Sequence, residues 1–279
     1  MAAPDLPELK IIQVGDYRLS YRELGEGPAL LFIHGMGGNS INWESQFQFF
    51  SDKFRVIAWD APGYGSSDDW DHDTPSTGDY ALLISDFLDT LGVAAAHLVG
   101  HSYGGVIVTA FYRSFRERVL SLTLAQPVVG GGVDPLKDRN KVIAAREREV
   151  RELGTEGYAK LHAPRSCSPH AEQRVIDRAI EVTKTMRIDG YLTQFRSLRH
   201  ANIYEWTFRP RVPAMIVGGE EDRTSQKSMI DEIADQMPGI EKHTISGVGH
   251  MIYLENPERL NKILESFLAR RVLIQRPVI

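Results

Sequence analysis

His97-Leu98-Val99-Gly100-His101-Ser102-Tyr103-Gly104-Gly105-Val106-Ile107-Val108 starts apolar, breaks at a glycine, sets one serine near the break and turns apolar again. The first part reads as the end of a buried strand, and residues 105–115 read as a helix. The junction has the pattern G-x-S-x-G. A serine at such a junction is pushed into a tight turn, with its hydroxyl exposed above the sheet and a helix N-terminus beneath it. The flanking glycines let the chain turn without a Cβ clash. Five residues of this kind also occur by chance; the strand before and the helix after give them meaning.

Residues 17–23 alternate and read as a half-exposed strand, and Gly25-Glu26-Gly27-Pro28 as a turn. Ala29-Leu30-Leu31-Phe32-Ile33 is a continuous apolar run, as expected of a strand covered on both faces. Residues 54–59, Val119–Ala125, 213–217 and 242–245 read as further strands. Residues 79–91 read as a helix. The last helix starts with Asn256 as N-cap, Pro257 in the first turn and Glu258 near the positive end. Leu260, Ile263, Leu264, Phe267 and Leu268 give it one apolar stripe.

Strands alternating with helices predict an α/β protein whose mostly parallel central sheet carries helices on both faces. Residues 130–204 break that rhythm. They hold helical stripes instead of strands: Val175, Ile176, Ala179, Ile180 and Met186, then Ile188, Leu192, Phe195 and Leu198. The expected organisation is a core of residues 1–129 and 205–279 with a helical insertion at 130–204.

The 279 residues suffice for one large core. A net charge of −5 gives no case for nucleic-acid binding. One cysteine, Cys167, excludes an internal disulfide framework and suits a reducing compartment. The N-terminus lacks the basic and apolar regions of a signal peptide, and no apolar run approaches the roughly 20 residues that span a bilayer. A cytoplasmic protein without membrane partners is expected.

Five motifs occur in order: His34-Gly35-Met36-Gly37-Gly38, residues 60–67 (Asp-Ala-Pro-Gly-Tyr-Gly-Ser-Ser), residues 100–104, Gly219-Glu220-Glu221-Asp222, and Gly249-His250. With these the sequence resembles an α/β-hydrolase fold enzyme with a helical cap over nearly its whole length. It is similar to the enol-lactone hydrolase, esterase and carbon–carbon bond hydrolase branches. Epoxide and haloalkane hydrolases are disfavoured, because those branches carry Asp where this chain has Ser102.

A serine hydroxyl is a weak nucleophile at neutral pH and needs a base within hydrogen-bond reach and a third group to orient that base. Ser102 is the candidate nucleophile, and His250, after the strand near Ile245, the candidate base. Asp222 is the best acid in a loop that also offers Glu220 and Glu221; the spacing of the resembled family selects Asp222. In some of its members the acid comes instead from the end of the preceding core strand, where this chain has Gln126.

An oxyanion hole needs backbone N–H groups aimed at developing negative charge. Tyr103 supplies one, and the resemblance places the other at Met36, with Gly37 as the near alternative. The glycine-rich stretch after Ile33 lacks the spacing and lysine of a phosphate loop. Residues 60–67 read as a structural turn. Trp43 and Tyr64 line the pocket or pack the core.

The insertion carries 14 Lys/Arg and 11 Asp/Glu over residues 134–205, a net +3, which leaves −8 for the rest of the −5 chain. A basic cover favours an anionic small-molecule substrate, unless these charges are a solvated helix face. Arg165, Arg196 and Arg199 are the candidates for a carboxylate clamp. Tyr158, Tyr191, Tyr204 and Trp206 are candidate aromatic walls. No metal or organic cofactor is implied. The expected reaction is hydrolysis of a small carboxylic ester or enol lactone through an acyl-Ser102 intermediate. The alternatives are cleavage of a carbon–carbon or amide-like bond in a small ring-derived acid, and ligand binding without catalysis on the same fold.

Overall fold

Ala29–Ile33 forms β3, the strand that the apolar run predicts, and all five residues are buried. It lies inside an eight-stranded sheet in this computed structural model, which describes residues 6–272 except Pro135, Lys137 and Phe208. The other strands are β1 (Leu9–Val14), β2 (Tyr17–Leu24), β4 (Arg55–Trp59), β5 (Ala96–His101), β6 (Val119–Ala125), β7 (Ala214–Gly219) and β8 (Glu241–Ile245). Their spatial order is β1-β2-β4-β3-β5-β6-β7-β8. β2 is antiparallel to both β1 and β4, and every pair from β4 to β8 is parallel.

The helices are α1 (Glu44–Phe50), α2 (Thr77–Thr90), α3 (Tyr103–Ser114), α4 (Arg139–Ser166), α5 (Gln173–Thr183), α6 (Ile188–His200), α7 (Lys227–Asp235), α8 (Ile252–Glu255) and α9 (Pro257–Val272). The two-residue period of the strands splits the core into two layers. Leu31, Ile33, Leu98, Leu122, Leu124 and Ile216 face one cluster with Ile84, Phe87, Ile107 and Phe111 from α2 and α3. Leu30, Phe32, Val99, Ala125, Met215 and Val217 face the other, with Phe47 and Phe50 of α1 and Leu260, Leu264 and Phe267 of α9. A strand apolar on both faces is therefore the sequence signature of a sheet covered on both sides.

Between β6 and β7 the described residues form no strand, and α4, α5 and α6 fill the interval, as the pattern of residues 130–204 predicts. α4 is bent at Gly154 (φ 62). α6 sits on the turn at residues 60–67 through glycine against glycine: a Cβ on Gly190 would lie 2.0 Å from the carbonyl oxygen of Gly63. Within that turn Asp60 accepts from Ser40 N–H at 2.7 Å and from the Ser20 hydroxyl at 2.6 Å. That is the structural role its sequence suggests. Met186, assigned to the α5 stripe, lies just beyond the end of that helix and is buried.

The junction after β5 refines the role of the glycines. The positive φ falls on Ser102 itself (φ 54, ψ −119). The glycines are there for close approach: a Cβ on Gly104 would sit 2.3 Å from the Ile33 carbonyl oxygen, and one on Gly100 would sit 2.3 Å from that of Gly104. Because both obstacles are backbone, Gly104→Ala is expected to destabilise the fold by about 1–3 kcal/mol, as overpacking does. Chemical denaturation checks this as a lower midpoint at unchanged slope.

Candidate active site

Ser102, Asp222 and His250 come from three different places in the chain and meet in one hydrogen-bonded line. Ser102 ends the turn after β5, Asp222 lies in the loop after β7, and His250 lies in the loop after β8. His250 Nδ1 is 2.7 Å from Asp222 Oδ2, and His250 Nε2 is 3.0 Å from Ser102 Oγ. A carboxylate can only accept, so Nδ1 carries the proton and Nε2 is left to accept from the serine hydroxyl. All three residues are buried.

The Asp222 carboxyl has a depressed pKa. Burial alone would raise it, but the His250 ring and the N–H groups of Ser225 and Thr224 outweigh burial. Thr224 and Ser225 donate to Oδ1 at 2.7 and 2.9 Å, which leaves Oδ2 for the histidine. The Ser225 hydroxyl in turn donates to the Gln126 carbonyl at 2.9 Å. Gln126, just after the end of β6, thus supports the loop that carries Asp222.

Four groups fix the backbone around His250. Its N–H donates to Ser166 O at 2.6 Å, and its carbonyl accepts from His101 Nε2 at 2.8 Å. Burial pushes the His101 ring down to about 3, so it is neutral and carries its proton on Nε2. The Glu255 carboxylate accepts from the residues on either side, Gly249 N–H at 2.9 Å and Met251 N–H at 3.0 Å, and from Ser168 N–H at 2.8 Å. The Gln126 amide donates to the Gly249 carbonyl. Ser166 and Ser168 belong to the end of α4 and the turn after it, so the histidine loop and the helical insertion are joined directly.

A cavity of about 260 Å³ opens over Ser102 and His250. Its floor includes Met36, Gly37 and Thr224, and its walls come from α4 (Arg146, Tyr158, His162), α5 (Thr183) and α6 (Tyr191, Phe195, Leu198). Tyr103 is the first residue of α3, so its N–H has no acceptor within the helix. Met36 lines the cavity, while Gly37 N–H is directed to the Tyr64 hydroxyl at 3.4 Å. Of the two glycine-loop donors, Met36 is the one not turned to Tyr64.

The structure redistributes the candidate binding residues. Tyr191 faces the cavity, and Tyr158 does too. Trp43 does not: it is fully buried against Phe32 and Tyr253, beneath the site. Tyr64 is also in the core, with its hydroxyl on Gln194 Oε1 at 2.7 Å. Tyr204 lines a separate cavity with Asn202 and Glu232. Arg165, Arg196 and Arg199 do not line the Ser102 cavity. Arg196 is 3.5 Å from Glu147, and Arg199 packs against Gly131. The arginine at the cavity is Arg146, which the charge count could not single out. Cys167 is buried, and burial pushes its thiol up to about 12, which makes it inert. Among the described residues no group of three His, Cys, Asp or Glu could hold a metal ion, and no helix is long and apolar enough to cross a membrane.

This arrangement of sheet, serine turn and acid and histidine loops agrees with a match of residues 28–257 to the family model of the alpha/beta hydrolase fold. The chain belongs to that family. It is 26% identical to the (E)-2-((N-methylformamido)methylene)succinate hydrolase of Acinetobacter baylyi, over 93% of this chain and 97% of that protein. It is 27% identical to the 2-hydroxy-6-oxononadienedioate/2-hydroxy-6-oxononatrienedioate hydrolase of Burkholderia vietnamiensis, over 91% and 92%. The structure of the enol-lactonase from Burkholderia xenovorans superposes with a TM-score of 0.84, at 21% identity, covering 93% of this chain and all of that one. That last likeness is one of fold. Membership and relatives together support a hydrolase.

Proposed function

We propose that this member of the alpha/beta hydrolase fold family is a serine hydrolase that cleaves a small carboxylic ester or enol lactone through an acyl-Ser102 intermediate. The observation that carries the reading is the Ser102–His250–Asp222 line, 3.0 and 2.7 Å long, opening on a cavity. His250 Nε2 takes the proton as Ser102 Oγ attacks the carbonyl carbon. Asp222 holds the tautomer and stabilises the imidazolium. The N–H groups of Tyr103 and Met36 face the oxyanion. His250 then returns the proton to the leaving oxygen, and a water activated by the same ring releases the acid. Residues 130–204 act as the cap that selects the substrate, and the cavity limits that substrate to a small molecule. A cytoplasmic setting and the absence of a cofactor are part of the proposal.

A second reading is hydrolysis of a carbon–carbon or amide-like bond by the same three residues. It is favoured by the two relatives above, whose names give an N-methylformamido compound and an oxo-dienedioate or oxo-trienedioate as substrates. Both names describe acids with two carboxylates. The pocket, not the triad, decides between the readings. The test is a burst of nitrophenol from a short 4-nitrophenyl ester together with an acyl mass on the peptide that holds Ser102. Absence of both in active protein overturns the acyl-enzyme reading.

A further inference from the structure

Among the described residues that line the cavity, Arg146 is the one with a fixed charge, and no Asp or Glu is among them. Its guanidinium carbon lies 5.2 Å from the centre of the Phe195 ring and 5.6 Å from that of Tyr158, which are cation–π distances. Nη1 donates to the Tyr191 hydroxyl at 3.2 Å and to the Tyr158 hydroxyl. Nε is 3.4 Å from Glu149. Nη2 donates to none of the described residues.

Glu149 does not neutralise this charge from within the cavity. It lines a different cavity, of about 670 Å³, and it also holds His162 Nε2 at 3.0 Å. Arg146 borders both spaces. The two phenols leave a second donor. Tyr158 and Tyr191 hydroxyls are 2.6 Å apart, so one donates to the other while both accept from Arg146. One phenol proton is left over. Two buried phenols and a half-buried guanidinium, with a phenol O–H and a guanidinium N–H to give and no acid among the residues lining that side, suit an anion.

We propose that Arg146, Tyr158 and Tyr191 form a subsite for a carboxylate carried by the substrate away from the bond that is cleaved. The inference rests on the hydrolase reading above and deepens it: the substrate is an ester, lactone or ketone of a small acid with a second carboxylate. Arg146 fixes the orientation of the acid, and the phenols supply the directional bond.

The test compares mono-4-nitrophenyl glutarate with 4-nitrophenyl valerate, of similar size but neutral, in the wild type, Arg146→Gln and Arg146→Lys. KM for the glutarate ester is expected to rise roughly ten- to a hundredfold more than KM for the valerate ester in Arg146→Gln, with partial recovery in Arg146→Lys. Equal rises for the two esters overturn the subsite and leave Arg146 as a strut. If the wild type hydrolyses neither ester, the ester-hydrolase reading is what fails. Calorimetry with glutarate then decides the subsite: binding at least tenfold weaker in Arg146→Gln supports it, and equal or absent binding overturns it.

Discussion

Replacing Ser102 or His250 by alanine is expected to lower kcat by at least about a thousandfold and leave the protein folded. The two residues share one proton across 3.0 Å, so removing either disables the same step. The losses should therefore not add: the double variant is expected to be about as slow as either single one. The fold should survive because the contacts that shape the site are made by backbone. His250 is held through its N–H and carbonyl by Ser166 and His101, and Ser102 N–H donates to Ala125 O at 2.9 Å. An alanine at either place keeps all of these. Circular dichroism and a thermal melt confirm folding, and turnover of a 4-nitrophenyl ester reads the loss. Near-wild-type turnover in either folded variant would sink the serine-hydrolase reading.

The parts of this site that could be read from sequence are those whose chemistry is tied to backbone. β3 and β5 are apolar on both faces because both are covered, and a serine between glycines marks a turn that only small neighbours allow. β1 was not legible. Leu9–Val14 is an edge strand with a mixed exposed pattern, so it carries no apolar run to find. α1 and α7 are short, about two turns each, so neither carries an apolar stripe long enough to read as a helix. Arg146 was hidden for a different reason. α4 holds 28 residues, most of them charged or polar, and its bend at Gly154 shifts the phase of everything after it. No single helical stripe runs through it, so no counting of arginines shows which one faces inward. The +3 of the insertion left an anionic substrate and a solvated helix face both open, and the packing of Arg146 on Tyr158 and Phe195 is a tertiary contact that no charge count shows.

Asp222→Asn is expected to lower kcat on the order of a thousand- to ten-thousandfold, whereas Glu221→Gln is expected to cost little catalysis. An amide at position 222 carries no charge to support the imidazolium, and its NH₂ can turn to His250 Nδ1 and favour the wrong tautomer. Glu221 sits beside Asp222 but points elsewhere, accepting from the Ser168 hydroxyl. The reverse outcome, a benign Asp222→Asn and a damaged Glu221→Gln, would move the acid by one residue. Stability offers an independent reading. The folded-state pKa of Asp222 lies below its ordinary 3.8, so the charged carboxylate stabilises the fold fully above that value. The contribution is lost as pH falls through the lower, folded-state value. Wild type minus Asp222→Asn should therefore give a stability difference that shrinks as pH falls below about 4. Denaturation at neutral pH and in acid measures it. A difference independent of pH would mean that the carboxylate is not held charged by His250 and the Thr224 and Ser225 amides.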